Sequence, residues 1–422
     1  MLNIKLLREQ PEFVIERLKV KNFDAVSIID RVNVLDQIRR SCQTEQDSVL
    51  AEQNSLAKEI GILMKNGKRE EAETAKMKVS ELKETSKGLE NKLQESISEL
   101  NELLVQLPNL PHSSVPVGKL AEDNVIIREG GSVPVLKNAV PHWDLAKKYD
   151  IIDFDLGVKL TGAGFPVYKG KGAKIQRALI SFFLDMNIRA GYTEVQPPLM
   201  VNEASGYGTG QLPDKGEQMY FVGLDNFYLI PTAEVPVTNI YRDVILSANE
   251  LPVKMTAYTP CFRREAGSYG KDVRGLNRLH QFDKVEIVQV SHPDNSYSAL
   301  EDMVKHVEGI VQALGLPYRI LRLCGGDMSF TSALTYDFEV YSAAQGRWLE
   351  VSSVSNFDSF QANRLKLRYK DEAGKTQFAH TLNGSSLALP RILAAILENY
   401  QEENRIRIPE VLRKYCGFSY ID

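Results

Sequence analysis

A long heptad pattern occupies the N-terminal quarter of the chain. In its first segment an apolar residue or cysteine recurs every seven positions, at Leu35, Cys42, Val49, Leu56 and Leu63. In the next segment small and apolar residues alternate spacings of three and four, at Ala72, Ala75, Val79, Leu82, Ser86, Leu89, Leu93, Ser96, Leu100, Leu103 and Leu107. This a/d spacing predicts two helices whose apolar seams face each other. The turn-forming residues 66–68 then predict an antiparallel coiled-coil hairpin with its tip at that point.

Aromatic residues and proline mark the limits of this segment. Residues 24–142 contain no Phe, Tyr or Trp, and residues 12–107 contain no Pro. We therefore predict an N-terminal domain at residues 1–107, with the coiled-coil arm at about 31–103. Each helix of roughly 35 residues would be about 50 Å long, so we expect the arm to project. Three prolines in residues 108–118 indicate a linker, which leaves residues 119–422 for a second domain.

The second domain alternates helical patterns with strand patterns. Helices are predicted at residues 174–190, 297–314 and 387–404, and strands at 227–231, 257–262, 284–290 and 348–355. Strands in hairpin order favour an α+β fold, an antiparallel sheet flanked by helices. The chain has no GxxxxGK[ST] motif and no GxGxxG between a strand and a helix, so neither common nucleotide-binding fold is supported.

Composition adds limits on partners and location. The net charge of −4 over 422 residues gives no global basic field, so a nucleic-acid partner would have to bind local patches. The four cysteines are widely separated and form no CxxC pair, which argues against a zinc site and a disulfide framework and favours a reducing cytoplasm. We find neither a signal-peptide pattern nor an apolar run long enough to span a membrane.

Residues 257–286 are the segment that is most informative about function. Two apolar strand patterns flank a polar loop in which Gly267, Gly270 and Gly275 allow close backbone approach to a ligand. The segment also holds four arginines suited to phosphate oxygens or a purine face, and two carboxylates that are costly to bury unpaired. These residues are Arg263, Arg264, Arg274 and Arg278, with Glu265 and Glu286. The pattern favours a nucleotide site; the alternative is a solvated hairpin with paired surface charges.

Residues 262–267 (Phe-Arg-Arg-Glu-Ala-Gly) with residues 280–286 (His-Gln-Phe-Asp-Lys-Val-Glu) resemble motif 2 of the class II aminoacyl-tRNA synthetases, in the form closest to the seryl-tRNA synthetases. Residues 232–239 are similar to the serine-contacting element of that family, and residues 383–404 to its motif 3. Residues 174–198 resemble motif 1, which forms the dimer interface in the family. The resemblance spans essentially the whole chain and is to bacterial-type members.

This resemblance implies ATP-dependent attachment of L-serine to tRNA(Ser) through a seryl-adenylate, with release of AMP and pyrophosphate. It extends to tRNA(Sec) where a host has one. Arg263 and Arg391 would be the catalytic residues, with Arg263 contacting both the serine carboxylate and the α-phosphate. The ATP contacts implied are Arg263, Glu265, Arg278, Leu279, Glu350, Ser353 and Arg391.

The remaining assignments concern serine and magnesium. The resemblance places the serine amino group at Thr232 and Glu234, its hydroxyl at Glu286 and Ser385, and its carboxylate at Arg263, with Asn383 in support. Glu350 and Ser353 would bind Mg²⁺, since a carboxylate and a hydroxyl suffice beside phosphate oxygens. Two alternatives remain open: Thr232 is a helix cap, and Glu350 forms a strand-edge salt bridge.

The predicted arm carries charges of both signs near its tip. Nine basic residues (Lys58, Lys65, Lys68, Arg69, Lys76, Lys78, Lys83, Lys87 and Lys92) lie among seven glutamates (Glu59, Glu70, Glu71, Glu73, Glu81, Glu84 and Glu90), an excess of nine minus seven, or two. Charge alone therefore favours a dimerisation or spacer coil over RNA binding. The resemblance reverses this weighting, because the family uses such an arm to recognise the long variable arm of tRNA(Ser).

Two rival functions fit the sequence less well. A paralogue that has lost aminoacylation usually lacks the arm or motif residues, and both are present here. A threonine or proline enzyme is disfavoured because only about 20 residues follow motif 3. The six histidines are interpreted as structural, since the reaction needs no general base from them.

Overall fold

The computed structural model describes residues 1–213, 217–265 and 274–422. The described chain forms two compact units. We call the first, Met1–Lys19 with Phe23–Pro108, the hairpin unit. The second, Val20–Asn22 with Asn109–Asp422, is the sheet unit.

The hairpin unit is helical. Two short helices, α1 (Ile4–Glu9) and α2 (Pro11–Lys19), precede two long ones, α3 (Val26–Lys65) and α4 (Arg69–Leu104). The long helices have 40 and 36 residues, somewhat more than predicted. They pack on each other and are joined by a turn in which Gly67 has a φ of 73°. Glycine adopts this left-handed conformation without the steric penalty of a Cβ.

The heptad seam is the covered surface of the hairpin. Every residue of the predicted seam is buried or half-buried, and most intervening positions are exposed. The structure adds alternate seam positions on α3, where Gln46 and Gln53 are also half-buried. Polar residues at these positions explain why the first segment showed only a seven-residue repeat.

A buried carboxylate ties α1 to the start of α3. Asp36 is fully buried and accepts hydrogen bonds from Arg8 Nη1 at 3.0 Å, Arg39 Nη2 at 2.8 Å and Arg40 Nε at 3.1 Å. Burial by itself would raise the pKa of Asp36, but the hydrogen bonds from Arg39 and Arg8 outweigh it and hold the pKa below its usual value. Nearer the start of α3, Arg31 forms an exposed two-pronged ion pair with Glu99 across the seam.

Nine helices of the sheet unit occur in the described ranges. They are α5 (His142–Lys148), α6 (Phe154–Leu160), α7 (Gly170–Arg189), α8 (Glu203–Thr209), α9 (Glu234–Asn239), α10 (Ser296–Ala313), α11 (Phe360–Leu365), α12 (Leu389–Asn399) and α13 (Glu410–Cys416). None of the described helices combines the length and the apolar character needed to cross a bilayer.

The strands of the sheet unit form one large sheet and several small ones. They are β1 (Val125–Gly130), β2 (Ile152–Asp153), β3 (Val167–Tyr168), β4 (Thr193–Glu194), β5 (Met200–Val201), β6 (Phe221–Val222), β7 (Phe227–Leu229), β8 (Ile245–Ser247), β9 (Val253–Phe262), β10 (Gln281–Ser291), β11 (Tyr318–Arg322), β12 (Leu334–Ser342), β13 (Arg347–Asn356), β14 (Arg368–Lys370), β15 (Thr376–Phe378), β16 (His380–Ala388), β17 (Ile406–Arg407) and β18 (Tyr420–Ile421).

The large sheet has eight strands in the order β1-β11-β12-β13-β16-β10-β9-β4. All neighbours are antiparallel except β4 and β9. Helices α7, α10 and α12 pack against it and share its main apolar core. The antiparallel sheet flanked by helices is the predicted fold.

Alternation along the central strands separates the core from the polar face. On β10, Val285 and Ile287 belong to the core, whereas Lys284 and Glu286 line a cavity. On β16, Leu382 packs in the core while Asn383 and Ser385 line the same cavity. Because successive side chains of a strand point to opposite faces, the sheet presents its polar residues together.

The predicted helix at residues 387–404 is wrong at both ends. β16 continues to Ala388, and α12 begins at Leu389 and ends at Asn399. At the C-terminal end, residues 400–407 turn back instead: Gln401 bridges Ile406, and Glu402 N donates to Arg405 O at 2.8 Å. These bonds satisfy backbone groups that would otherwise continue the helix.

Candidate active site

A cavity of about 580 Å³ lies on the polar face of the large sheet. Its walls come from β10, β13 and β16, the start of α12, and the segment between β7 and α9. All residues predicted to bind serine, ATP or magnesium line it: Thr232, Glu234, Arg263, Glu265, Arg278, Leu279, Glu286, Glu350, Ser353, Asn383, Ser385 and Arg391. The structure thus brings together residues that are up to 159 positions apart (391 minus 232).

A buried polar cluster forms one part of the cavity. Lys284 Nζ lies 2.8 Å from Glu286 Oε2 and donates to Thr232 Oγ1, also at 2.8 Å. Ser385 Oγ donates to the same Glu286 oxygen at 3.4 Å. Asn383 Nδ2 is buried and makes no hydrogen bond of ordinary geometry to the described residues, although it lies near enough to Glu234 to favour the ionised form of that carboxyl. An unsatisfied buried amide is costly, so this donor is available for a ligand.

Glu234 is a second buried carboxylate of this cluster. It is held by Gln361, whose Nε2 donates to Glu234 Oε1 at 2.6 Å. Burial, followed by the neighbouring carboxylate of Glu286, raises the pKa of Glu234 to about 7. One lysine among two carboxylates leaves the cluster short of positive charge, and a ligand ammonium group would supply it. Thr232 Oγ1 accepts from Glu234 N at 3.2 Å, but the N-cap residue of α9 is Ala233, so Thr232 is not the helix cap.

Arginines give another part of the cavity positive charge. The Arg263 guanidinium lies 5.3 Å from the centre of the Phe282 ring, and its Nε donates to Pro231 O at 3.4 Å. Arg278 pairs with Glu265. Glu265 has a φ of 50°, a left-handed conformation that is uncommon for a residue other than glycine. In this ion pair each side chain compensates the charge of the other.

Arg391, the third residue of α12, is fixed by two carbonyl groups. Its Nε donates to Asn277 O at 2.9 Å and its Nη1 to Glu350 O at 2.8 Å. Together with Arg278, Arg347 and Glu350 it lines an adjoining cavity of about 180 Å³. Three guanidinium groups and one carboxylate line this cavity, and positive charge stays in excess when the Arg278–Glu265 pair is counted, which favours an anion with several phosphates.

Glu350 and Ser353 lie on β13 and both face the main cavity. Ser353 pairs in register with Asp337 of β12, whose Oδ1 is buried without a hydrogen-bond partner in the described chain. Burial, and next the Glu350 carboxylate, raises the pKa of Asp337. The donors are hard oxygen ligands, which fit Mg²⁺. No group of three or more His, Cys, Asp or Glu able to hold a metal occurs in the described ranges, so phosphate oxygens would have to complete such a site.

Sequence reasoning missed Lys284 and Phe282 as residues of the cavity. Both precede Glu286 by even steps, and positions two apart on a strand share a face, so period-two alternation would have placed them beside it. Gln361, on α11, could not be found this way. The predicted loop glycines Gly267 and Gly270 lie outside the described residues; Gly275 lies within them and has a φ of 66°.

The chain matches known proteins over its full length. Residues 1–111 match the model of the seryl-tRNA synthetase N-terminal domain, and residues 222–400 that of the class II tRNA synthetase core domain (G, H, P, S and T). It is 50% identical to the serine–tRNA ligase of Salinibacter ruber, over 100% of this chain and 99% of that protein. It is 48% identical to the corresponding protein of Akkermansia muciniphila, over 99% and 98%.

The chain belongs to the seryl-tRNA synthetase family. A solved structure supports the same assignment: seryl-tRNA synthetase from Pyrococcus horikoshii, complexed with ATP, superposes with a TM-score of 0.93 at 36% identity and covers 100% of this chain and 99% of that one. The predicted family and fold class are confirmed. The threonine and proline alternatives are not supported, since these full-length relatives are serine ligases.

Proposed function

We propose that the protein attaches L-serine to tRNA(Ser) in two steps, through a seryl-adenylate. The observation that carries this proposal is that one cavity is lined both by a buried acidic cluster and by three arginines, Arg263, Arg278 and Arg391. The acidic cluster suits the ammonium and hydroxyl groups of serine, and the arginines suit the phosphates of ATP. Relatives that carry the serine–tRNA ligase name over the full length support the same reaction.

In the first step the serine carboxylate oxygen attacks the α-phosphorus of ATP. A new P–O bond forms to the serine carboxylate while the bond from the α-phosphorus to the bridging oxygen breaks, and pyrophosphate leaves with the electron pair. Arg263 would neutralise charge developing on the α-phosphate and orient the carboxylate. Arg391 and Arg278 would hold the outer phosphates, and Glu265 with the Leu279 backbone would contact adenine.

Serine would be selected by buried groups that its own polar atoms satisfy. Its ammonium would meet Glu234 and Thr232, and its hydroxyl Glu286 and Ser385, with Asn383 in support. Alanine and glycine have no hydroxyl to bond with Glu286 and Ser385, so they would lose the polar contacts that serine makes there. Mg²⁺ held by Glu350 and Ser353 would help neutralise the phosphates.

In the second step a hydroxyl of the terminal tRNA ribose attacks the serine carbonyl carbon, and AMP leaves. We propose that the α3–α4 hairpin recognises the long variable arm of tRNA(Ser). Support comes from the family match to residues 1–111 and from the seam, which leaves the outer faces of both helices exposed. The predicted domain limits (1–107, 108–118 and 119–422) fit this division of labour.

We propose a homodimer built through the motif 1 region (174–198) together with the small sheet of β5, β6 and β7 that follows it in the chain. Large apolar side chains are exposed together on the small sheet of β5, β6 and β7, at Met200, Phe221 and Phe227. Adjacent exposed apolar residues of this size are typical of interaction surfaces. Sedimentation equilibrium of the wild type and of Phe221→Glu would test the dimer: a wild-type monomer would contradict it.

We also propose that the protein works in a reducing cytoplasm. Its four cysteines are free thiols, as expected there.

Exchange of pyrophosphate into ATP tests the reaction. We expect exchange stimulated by serine, with little stimulation by alanine, threonine or proline. Stimulation by threonine or proline above that by serine would overturn the assignment. A wild-type protein that exchanges with no amino acid would instead indicate a binding paralogue.

A further inference from the structure

A fully buried imidazole and carboxylate pair lies behind the ATP part of the cavity. His142 begins α5, and Glu398 lies near the end of α12, two turns beyond Arg391. Neither side chain is exposed. His142 Nδ1 is 2.7 Å from Glu398 Oε1, and the backbone N–H of His142 donates to the same oxygen at 3.0 Å.

The hydrogen bonds fix the tautomer of His142. The backbone N–H of Leu276 donates to His142 Nε2 at 2.8 Å, so Nε2 accepts and Nδ1 carries the proton that is donated to Glu398. Glu398 also accepts from Ser342 Oγ and from Ala344 N at 3.2 Å. Burial alone would raise the pKa of Glu398, but the hydrogen bonds from His142 and Ser342 outweigh it and lower the pKa. A neutral imidazole thus bridges an ionised carboxylate and a backbone amide.

The amide that His142 holds belongs to the segment that forms the cavity wall. Leu276, Asn277, Arg278 and Leu279 all line the cavity, and Asn277 O accepts from Arg391 Nε at 2.9 Å. Gln345 holds the same segment from a second side. Asn277 Nδ2 donates to Gln345 Oε1 at 2.9 Å, and Gln345 Nε2 donates to Glu398 Oε1 at 3.2 Å.

Close approach of the segment to α5 requires glycine. A Cβ added to Gly275 would lie 2.3 Å from His142 Nε2, and the φ of 66° at this position is also unfavourable for other residues. The residue before Gly275 packs on the same helix, because the Arg274 guanidinium lies 4.5 Å from the centre of the Trp143 ring. The end of the motif 2 loop therefore contacts α5 at two points, Leu276 on His142 and Arg274 on Trp143, and Gly275 allows the close approach between them.

We propose that His142 and Glu398 are a positioning pair, which holds the backbone N–H of Leu276 and so places the segment that follows it, so that Arg278, Leu279 and Arg391 meet the ATP phosphates and base. The pair touches no substrate. It connects both ends of α12 to the motif 2 segment: Glu398 through His142, and Arg391 through Asn277 O. The inference rests on the proposed function, because it assigns these residues to the ATP part of that site.

Asn and Gln substitutions at position 142 separate the two contacts. In His142→Asn the side-chain amide can replace Nδ1 toward Glu398 but cannot reach Leu276. In His142→Gln the amide oxygen can replace Nε2 toward Leu276. His142→Phe keeps the ring volume and removes both bonds. We expect His142→Asn and His142→Phe to raise the KM for ATP at least about tenfold, since a misplacement of about 1 Å can cost as much as ~100-fold. The KM for serine should change little, and His142→Gln should restore most of the ATP affinity.

His380→Phe is the matched control. His380 is also largely buried, with Nδ1 2.8 Å from Ser296 Oγ, and it does not line the cavity. It should leave both KM values near wild type. Thermal stabilisation by serine shows that each variant is folded, and if His142→Phe does not fold, the Asn and Gln variants decide. Equal KM values for ATP in His142→Asn and His142→Gln would overturn the proposal. An increase of the KM for serine as large as that for ATP would also overturn it.

Failure of the proposed function would be recognised separately. A wild-type chain without serine-dependent exchange would contradict that function, and the positioning role would then be measured by calorimetric ATP binding. The same order of affinities, with Gln tighter than Asn, is expected there. Loss of the difference would overturn the positioning role itself.

Discussion

The hairpin unit and the cavity of the sheet unit are built from different kinds of contact. The hairpin repeats one contact, a seam residue against the facing helix, and its covered positions follow one another at fixed spacing. The cavity is assembled once, from strands and a helix that are far apart in the sequence. In the hairpin a substitution removes one of many similar contacts, whereas in the cavity it removes a group that no neighbour replaces. Substitutions in the cavity should therefore reduce activity strongly, whereas substitutions along the hairpin should lower the free energy of unfolding in small steps.

The largest effect is expected for Arg263→Ala. Removing the group that neutralises the α-phosphate should lower serine-dependent exchange by about 10² to 10³-fold, as for other donors to a developing charge. Helix content measured by circular dichroism should not change. Arg264→Ala is the control, because Arg264 is exposed and its guanidinium lies 3.9 Å from Glu217, another exposed residue. Similar losses in both variants would mean that charge near the cavity, rather than Arg263 itself, matters.

A smaller effect is expected from pH. The pKa of Glu234 is raised to about 7, so its carboxylate is mostly protonated at pH 6 and mostly ionised at pH 8. Only the ionised form attracts the serine ammonium group. The value of kcat/KM for serine should then rise about tenfold over this range, following the ionised fraction of one group. The KM for ATP should stay nearly constant.

The same shift has a consequence for stability. Because the folded chain holds the Glu234 proton up to about pH 7 and the unfolded chain loses it near 4.5, the free energy of unfolding should fall as pH rises between these values. Serine should oppose this loss, so its thermal stabilisation should be greater at pH 8 than at pH 6. Equal stabilisation at both pH values would contradict an ionisable Glu234 at the serine site.

Within the hairpin unit, Asp36→Asn should reduce stability without affecting serine activation. The substitution removes the charge that three arginines share at a buried position, and we expect a loss of about 1–3 kcal/mol in the free energy of unfolding. Urea denaturation followed by circular dichroism measures it. A fall in serine-dependent exchange along with the loss of stability would contradict the expectation that the hairpin unit contributes to stability and not to serine activation.

The smallest effect is expected for Arg31→Ala. Arg31 and Glu99 join the two long helices, but both side chains are exposed. Solvent screening makes such pairs weak, so the loss in urea denaturation should be clearly smaller than for Asp36→Asn. A larger loss would mean that the hairpin depends on its surface pairs more than on its seam.

The sequence predicted these two regions by different routes. Heptad spacing predicted the hairpin directly, because helix periodicity is a local property, and it missed the seam positions that Gln46 and Gln53 occupy. The cavity residues were predicted by resemblance to motifs, and no spacing in the chain shows that Thr232, Glu286 and Arg391 meet. Gln361 and the partners of His142 could not be predicted from the sequence, since pairing across the sheet and the packing of α5 and α12 bring them into place. The roles of the cavity residues in binding stay predictions.

Removal of residues 31–103, with the ends joined by a flexible linker, is the measurement that tests the account most directly. We predict serine-dependent exchange within about threefold of the full chain, because distant sites contribute independently. Transfer of serine to tRNA(Ser) should fall to background. Equal loss of both activities would contradict the account, because the hairpin would then be needed for the folding of the active site rather than for recognition of tRNA.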